Sequence, residues 1–202
     1  MAENPDQHPK DRQSRTALLV VDVQPTFCEG GALAVDGGNE VAAGVAGLLA
    51  GDHGYDLVVT TQDWHIDPGD HFSDEPDFVD TWPPHGVAGT PEAELHPALD
   101  AVADRINAGV RKGMHAAAYS GFEGVDDDGR TLNDVLGTAG VHEVDVVGIA
   151  FDHCVRATAM DAAANGYTTT VIEGLSASVA PETEAAARSQ LADAGIDVIA
   201  SR

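Results

Sequence analysis

The chain has 202 residues, 43% of them hydrophobic, with 34 acidic side chains against 10 lysines and arginines and a formal net charge of −24. That length fits one domain with a full-sized core. The charge excludes nucleic acid and anionic membrane surfaces as partners, because no basic patch forms against such a field. No apolar run approaches a membrane span and no signal-peptide core opens the chain, so a membrane partner is not expected.

Residues 1–15 read as a disordered polar tail, which leaves 16–202 as one domain with no internal repeat or linker. Ala17–Val23 (ALLVVDV) predicts a buried strand closing on Asp22, where Gln24-Pro25 prevents its continuation. Asp22 is either a cap or a functional carboxylate, since open parallel sheets place ligands at C-terminal strand ends. Cys28–Gly31 and Gly37-Gly38 mark a loop, and Asn39–Leu49 an alanine-rich helix. Leu57–Trp64 (LVVTTQDW) predicts a second buried strand that closes on Asp63, Trp64 and His65.

Residues two apart on an extended chain leave the same face, so Asp63 and His65 point together. His71 and His85 follow in a proline-glycine-rich loop over about residues 65–95. One carboxylate and three imidazoles suit a divalent cation such as zinc, iron(II) or manganese; the other reading is histidines exposed on a loop. Long loops without regular structure in compact domains are usually functional. Phe27 and Trp82 fall outside any core pattern, and each either packs under this loop or faces a flat ring.

Arg105–Lys112 predicts a weaker strand. Lys10 lies in the tail, so Lys112 is the only lysine of the folded part, a hint that an ammonium is wanted there. Asp126-Asp127-Asp128-Gly129 lacks the alternate spacing of a calcium loop and reads as a solvated turn. Thr131–Ala139 predicts a capped helix. Val144–Ala150 predicts a strand buried on both faces, followed by a helix from Asp152 that stops at Asn165-Gly166. A strand at Thr168–Glu173, a helix at Pro181–Ala194 and a strand at Ile196–Ala200 complete the chain. This order predicts an α/β fold, a three-layer α/β/α domain of Rossmann-like type around a mostly parallel, about six-stranded sheet.

Cys154 stands at the turn from strand to helix, where unpaired backbone N–H groups favour a thiolate and can hold an oxyanion. A lone cysteine is often just a small core residue. What favours chemistry is convergence: Asp22, Asp63, His65, Lys112 and Cys154 all fall at C-terminal strand ends, which share one edge of a parallel sheet. Cys28 and Cys154 are too few for a disulfide framework; a single bridge stays open, and a reduced cytoplasmic enzyme is the expectation.

The stretches VDVQPTFCEGGALAV, DWHIDPGDHFS, WPPHGVAGT, KG followed by AYSGFEGVD, and EVDVVGIAFDHCVRATAMDA run from Ala17 to about residue 172. Through them the chain resembles the nicotinamidase (pyrazinamidase) branch of the isochorismatase-like cysteine hydrolases. The resemblance implies hydrolysis of nicotinamide to nicotinic acid and ammonia through a cysteine thioester, with pyrazinamide as a second substrate and a place in NAD salvage. It implies a triad of Asp22, Lys112 and Cys154. It also implies one divalent metal ion (Zn, Fe(II) or Mn) on Asp63, His65, His71 and His85, although not every branch uses the equivalent of His71. A cis peptide at Ile149-Ala150 is implied, with the backbone N–H groups of Ala150 and Cys154 as an oxyanion hole. Phe27 and Trp82, with Ile149 and Ala150, are implied around the substrate ring.

A cysteine amidase for a carbamoyl or ureido substrate is the alternative, but such enzymes generally lack the metal histidines. Isochorismatase itself lacks the nucleophilic cysteine. Two positions depart from the family pattern. Phe151 stands where relatives usually carry a small threonine, so a narrowed approach to Cys154 is expected; Gly86 replaces a bulkier residue found after the loop histidine in some relatives. The expected partner is a small carboxamide, and the sequence leaves monomer or homo-oligomer open.

Overall fold

The computed structural model describes residues 14–202. Of the tail expected over 1–15, residues 1–13 lie outside the described residues, and Arg15 already opens the first strand. Six strands form one sheet: β1 (Arg15–Val21), β2 (Leu57–Asp63), β3 (Ala108–Lys112), β4 (Val141–Ile149), β5 (Thr168–Ala177) and β6 (Asp197–Ile199). They run in the order β3-β2-β1-β4-β5-β6, and every pairing is parallel.

Such a sheet must be covered on both faces, and its strands alternate accordingly. Leu19 and Val21 of β1 join one core, whereas Leu18 and Val20 join the other. The first core packs against α2 (Leu132–Ala139), α3 (Arg156–Ala164) and α4 (Pro181–Asp193) through Leu136, Ala159 and Leu191. The second packs against α1 (Gly38–Ala50) through Val41, Val45 and Leu49, beside a 3-10 helix at Pro97–Arg105. The order of strands reverses between β1 and β4, and a crevice at their C-terminal ends is where such sheets bind ligands.

Several boundaries differ from the sequence reading. Arg105 ends the 3-10 helix instead of starting β3, because Pro97 suits a first helical position and the His96 ring accepts the Ala98 N–H. β5 continues beyond Glu173 to Ala177 through a register irregularity opposite Val146–Gly148. The helix after β4 does not start as α-helix: Phe151–Val155 form a π-helical turn, and α3 begins at Arg156. Such turns are frequent at functional sites. Thr131 caps α2 through a reciprocal pair with Asp134, as its sequence predicts. Cys28 and Cys154 are both free and belong to different cores on opposite faces of the sheet, which closes the question of a bridge. Among the described residues no helix is long and apolar enough to cross a membrane.

Candidate active site

Four strand ends deliver the charged groups. Asp22 follows β1, Asp63 ends β2, Lys112 ends β3, and Cys154 lies in the π-helical turn after β4. The Lys112 side chain is wholly buried, with Nζ 2.9 Å from Asp22 Oδ2 and in contact with Asp63 Oδ1. The same Nζ lies 3.7 Å from Cys154 Sγ and donates to the Ala118 carbonyl at 3.0 Å. One ammonium therefore faces two carboxylates and a sulfur.

That ratio sets the protonation states. Burial alone would discharge Lys112, but Asp22, Asp63 and Cys154 hold its pKa well above the ordinary value. Burial raises the Asp22 carboxyl, and Asp63 adds to the rise while Lys112 opposes it. Burial likewise pushes the Cys154 thiol well up against the pull of Lys112, with Asp22 and Asp63 adding to the rise. Asp63 goes the other way: burial would raise it, but the Lys112 ammonium holds it below the usual carboxylate range. The proton of the cluster accordingly belongs to sulfur or to Asp22, and not to Asp63.

Next to this cluster, one ring nitrogen from each of His65, His71 and His85 lies within 4.8 Å of the others. Asp63 Oδ2 is 3.5 Å from His65 Nε2 and 3.7 Å from His85 Nε2. His65 Nδ1 sits 2.6 Å from the Gly113 carbonyl, and His85 Nδ1 sits 2.8 Å from that of Pro83. A carbonyl only accepts, so both rings carry their proton on Nδ1 and turn the Nε2 lone pair inward. His65 Nε2 and His71 Nδ1 are buried and find no protein partner. Buried acceptors left without a donor, beside a carboxylate, are a fitting donor set for a divalent cation. Burial brings His85 down to about 4 and also lowers His71, which keeps both rings neutral as ligation requires.

Two glycines allow this closeness. Gly113 has φ +74°, and a Cβ there would fall 2.5 Å from His65 Cε1, so the residue after Lys112 has no room for a side chain. Gly86 has φ +52°, and its Cβ would fall 2.9 Å from Asp63 Cβ. The departure at Gly86 thus fits the backbone of the loop histidine against Asp63.

Sulfur and histidines meet at a cavity of about 550 Å³, its open mouth included. Phe27, Trp82, Ile149 and Ala150 line it, and the Ile149-Ala150 peptide is cis. Tyr119 and His153 also line it, although the sequence reading did not single them out. Trp82 Nε1 donates to the Tyr119 hydroxyl at 3.0 Å, and Trp82 stands edge-on to His153 with ring centres 5.5 Å apart. Their only sequence signal was adjacency, Tyr119 within the loop after Lys112 and His153 next to Cys154.

The expectation for Phe151 is overturned. Its ring does not line the cavity but is buried in the core on the α4 side, with the Arg188 guanidinium 5.1 Å from its centre. An aromatic ring loses more water-exposed area in that apolar layer than it would at an open mouth, so it leaves the approach to Cys154 clear.

The isochorismatase domain family matches residues 16–202 of the chain. The protein belongs to the isochorismatase family. A relative within that family, the nicotinamidase/pyrazinamidase of Mycobacterium tuberculosis, is 52% identical over 185 residues, covering 92% of this chain and 98% of its own. Among solved structures, L. infantum PnC1 in complex with nicotinate superposes with a TM-score of 0.79 at 35% identity, covering 92% of each chain. The pyrazinamidase of Pyrococcus horikoshii in complex with zinc gives a TM-score of 0.74 at 33% identity, covering 92% of this chain and 98% of that one. The all-parallel six-stranded sheet described above is therefore the isochorismatase-family fold.

Proposed function

We propose that this isochorismatase-family chain is a nicotinamidase that converts nicotinamide to nicotinic acid and ammonia, and pyrazinamide to pyrazinoic acid, with Cys154 as nucleophile. The observation that carries this reading is the meeting of the Lys112 ammonium with the Asp22 carboxylate and Cys154 Sγ, with Cys154 itself lining an aromatic-walled cavity. The relatives at high coverage are nicotinamidases and pyrazinamidases, and one neighbour holds nicotinate.

Asp22 takes the proton of the Cys154 thiol as sulfur bonds to the carboxamide carbon. Its raised pKa makes it a fit acceptor, and the Lys112 ammonium beside it offsets part of the negative charge of the cluster. The backbone N–H groups of Ala150 and Cys154 receive the oxyanion, a device worth about 3 kcal/mol per donor. Asp22 then returns its proton to the departing nitrogen, so ammonia leaves and a thioester remains on Cys154. Asp22 next draws a proton from water as the water oxygen bonds to the thioester carbon; the C–S bond breaks, Asp22 gives that proton to sulfur, and nicotinic acid departs with the thiol restored. Phe27 and Trp82 sandwich the ring and hold the carboxamide over sulfur, which converts an encounter into an oriented reaction.

Asp63, His65, His71 and His85 would hold one divalent ion, zinc, iron(II) or manganese. When bound, that ion supplies a Lewis-acidic anchor for a pyridine nitrogen.

Ammonia release from nicotinamide, pyrazinamide and small ureido acids, with and without chelator, tests the reading. Turnover of the two heteroaromatic amides that falls on chelation is expected. Turnover of the ureido acids alone, indifferent to chelator, would overturn it.

A further inference from the structure

The ends of β1 and β2 mirror each other in the order of their side chains. β1 gives way to Asp22-Val23-Gln24, and β2 ends in Thr61-Gln62-Asp63. In each triplet one residue is a carboxylate facing Lys112, and the residue two positions away is an uncharged polar group with no surface exposure.

Each uncharged group bonds the aspartate of the other strand, Thr61 at its carboxylate and Gln24 at its peptide. The Thr61 hydroxyl donates to Asp22 Oδ1 at 2.6 Å, and the Asp22 N–H reaches both Thr61 Oγ1 and the Thr61 carbonyl at 3.2 Å. Gln24 spans the backbone of Asp63: its Oε1 accepts from the Asp63 N–H at 2.9 Å, and its Nε2 donates to the Asp63 carbonyl at 3.0 Å. The same Nε2 donates to the Ala93 carbonyl at 2.7 Å. Asp22 has φ 48°, in the left-handed region, a backbone that persists where its surroundings over-determine it. The bonds with Thr61 supply that constraint.

We propose that Gln24 and Thr61 are positioning residues for the hydrolysis, a reciprocal clamp that seats Asp22 and Asp63 against one shared ammonium. The inference rests on the nicotinamidase reading above. Thr61 occupies Oδ1 of Asp22 and so leaves Oδ2, the oxygen 2.9 Å from Lys112 Nζ, to exchange a proton with sulfur. Gln24 fixes the peptide of Asp63, whose two oxygens face in different directions, Oδ1 to Lys112 and Oδ2 to the histidines. Neither residue lines the cavity; each acts through the aspartate it holds.

The test compares Thr61→Val, Thr61→Ser and Gln24→Met with the wild type, all loaded with zinc. Valine keeps the shape of threonine and removes the hydroxyl, whereas serine restores it. Thr61→Val should lower kcat for nicotinamide by about tenfold to a hundredfold, the worth of one hydrogen bond to a charged group, with KM and zinc content near wild type. Thr61→Ser should recover most of that loss. In Gln24→Met the Ala93 carbonyl keeps a donor from Gln62 Nε2 at 2.8 Å, so the lesion falls on Asp63. That variant should surrender zinc to a chelator several-fold faster than wild type. Wild-type kcat in Thr61→Val, or a loss that serine does not repair, overturns the clamp at Asp22. Unchanged zinc retention in Gln24→Met overturns it at Asp63. Should the wild type itself release no ammonia, the nicotinamidase reading fails separately, and zinc retention in Gln24→Met still decides the clamp.

Discussion

Asp22, just past β1, and Asp145, on the neighbouring β4, are buried carboxylates that both pair with a cation, but the two pairings are built differently. Asp145 accepts from the Tyr55 hydroxyl at 2.6 Å and from Arg202 Nη2 at 2.6 Å, and Arg202 Nε closes on its second oxygen. There one carboxylate has one cation, both oxygens are occupied, and the arginine side chain is half exposed at 49%. Around Lys112 two carboxylates share one ammonium that solvent does not reach, and a thiol stands 3.7 Å away. The first arrangement is complete, and solvent screens it. The second holds surplus negative charge in a dry place, so a proton must move among its members. The ratio of carboxylates to cations and the access of water, more than the presence of a buried ion pair, separate a structural site from a reactive one.

That contrast can be broken from either side. The largest effect is expected from Lys112→Met, which leaves two buried carboxylates without a cation. It should cost about 3–5 kcal/mol in denaturant unfolding and remove ammonia release. Equal stability in this variant would show that the shared ammonium is not what holds the pair together.

Acid should then unsettle the reactive edge. In chelator-treated protein the folded His85 has a pKa of about 4 against an ordinary 6.5. Between these values the unfolded chain binds the extra proton, so the contribution of His85 to stability is whole above pH 6.5 and is lost as pH falls towards 4. Thermal unfolding across that window should show Tm falling with pH, and a flat profile would place His85 outside the buried cluster. The smallest effect is expected from Arg202→Ala. With a half-exposed partner removed, Asp145 keeps the Tyr55 hydroxyl and water can reach the vacated side, so less stability should be lost than in Lys112→Met, and kcat should not change. A large loss of activity there would erase the distinction between the two sites.

Much of this was legible in the sequence because the relevant patterns are local. The apolar runs of β1, β2 and β4 announce strands buried on both faces; Asp22 follows the first, Asp63 ends the second and Cys154 lies in the turn after the third, which puts all three on one edge. The spacing of His65, His71 and His85 in a loop points to a cation, and the three rings do come together. What escaped depended on distant partners. The 3-10 helix at Pro97–Arg105 is too short for a periodic signal, and the π-helical turn at Phe151–Val155 is set by how β4 meets α3. Phe151 looked like an obstruction because it neighbours Cys154 in sequence, yet which side of a turn buries a ring is settled by the layer below it. Gln24 and Thr61 read as ordinary polar residues at strand ends, because their partners lie 39 positions away.

The most direct measurement is ammonia release from nicotinamide by the metal-loaded wild type and by Cys154→Ala, with zinc content and circular dichroism recorded on both. The account predicts steady turnover by the wild type and none by the variant, with metal and fold retained. Turnover that survives the loss of the sulfur would contradict it.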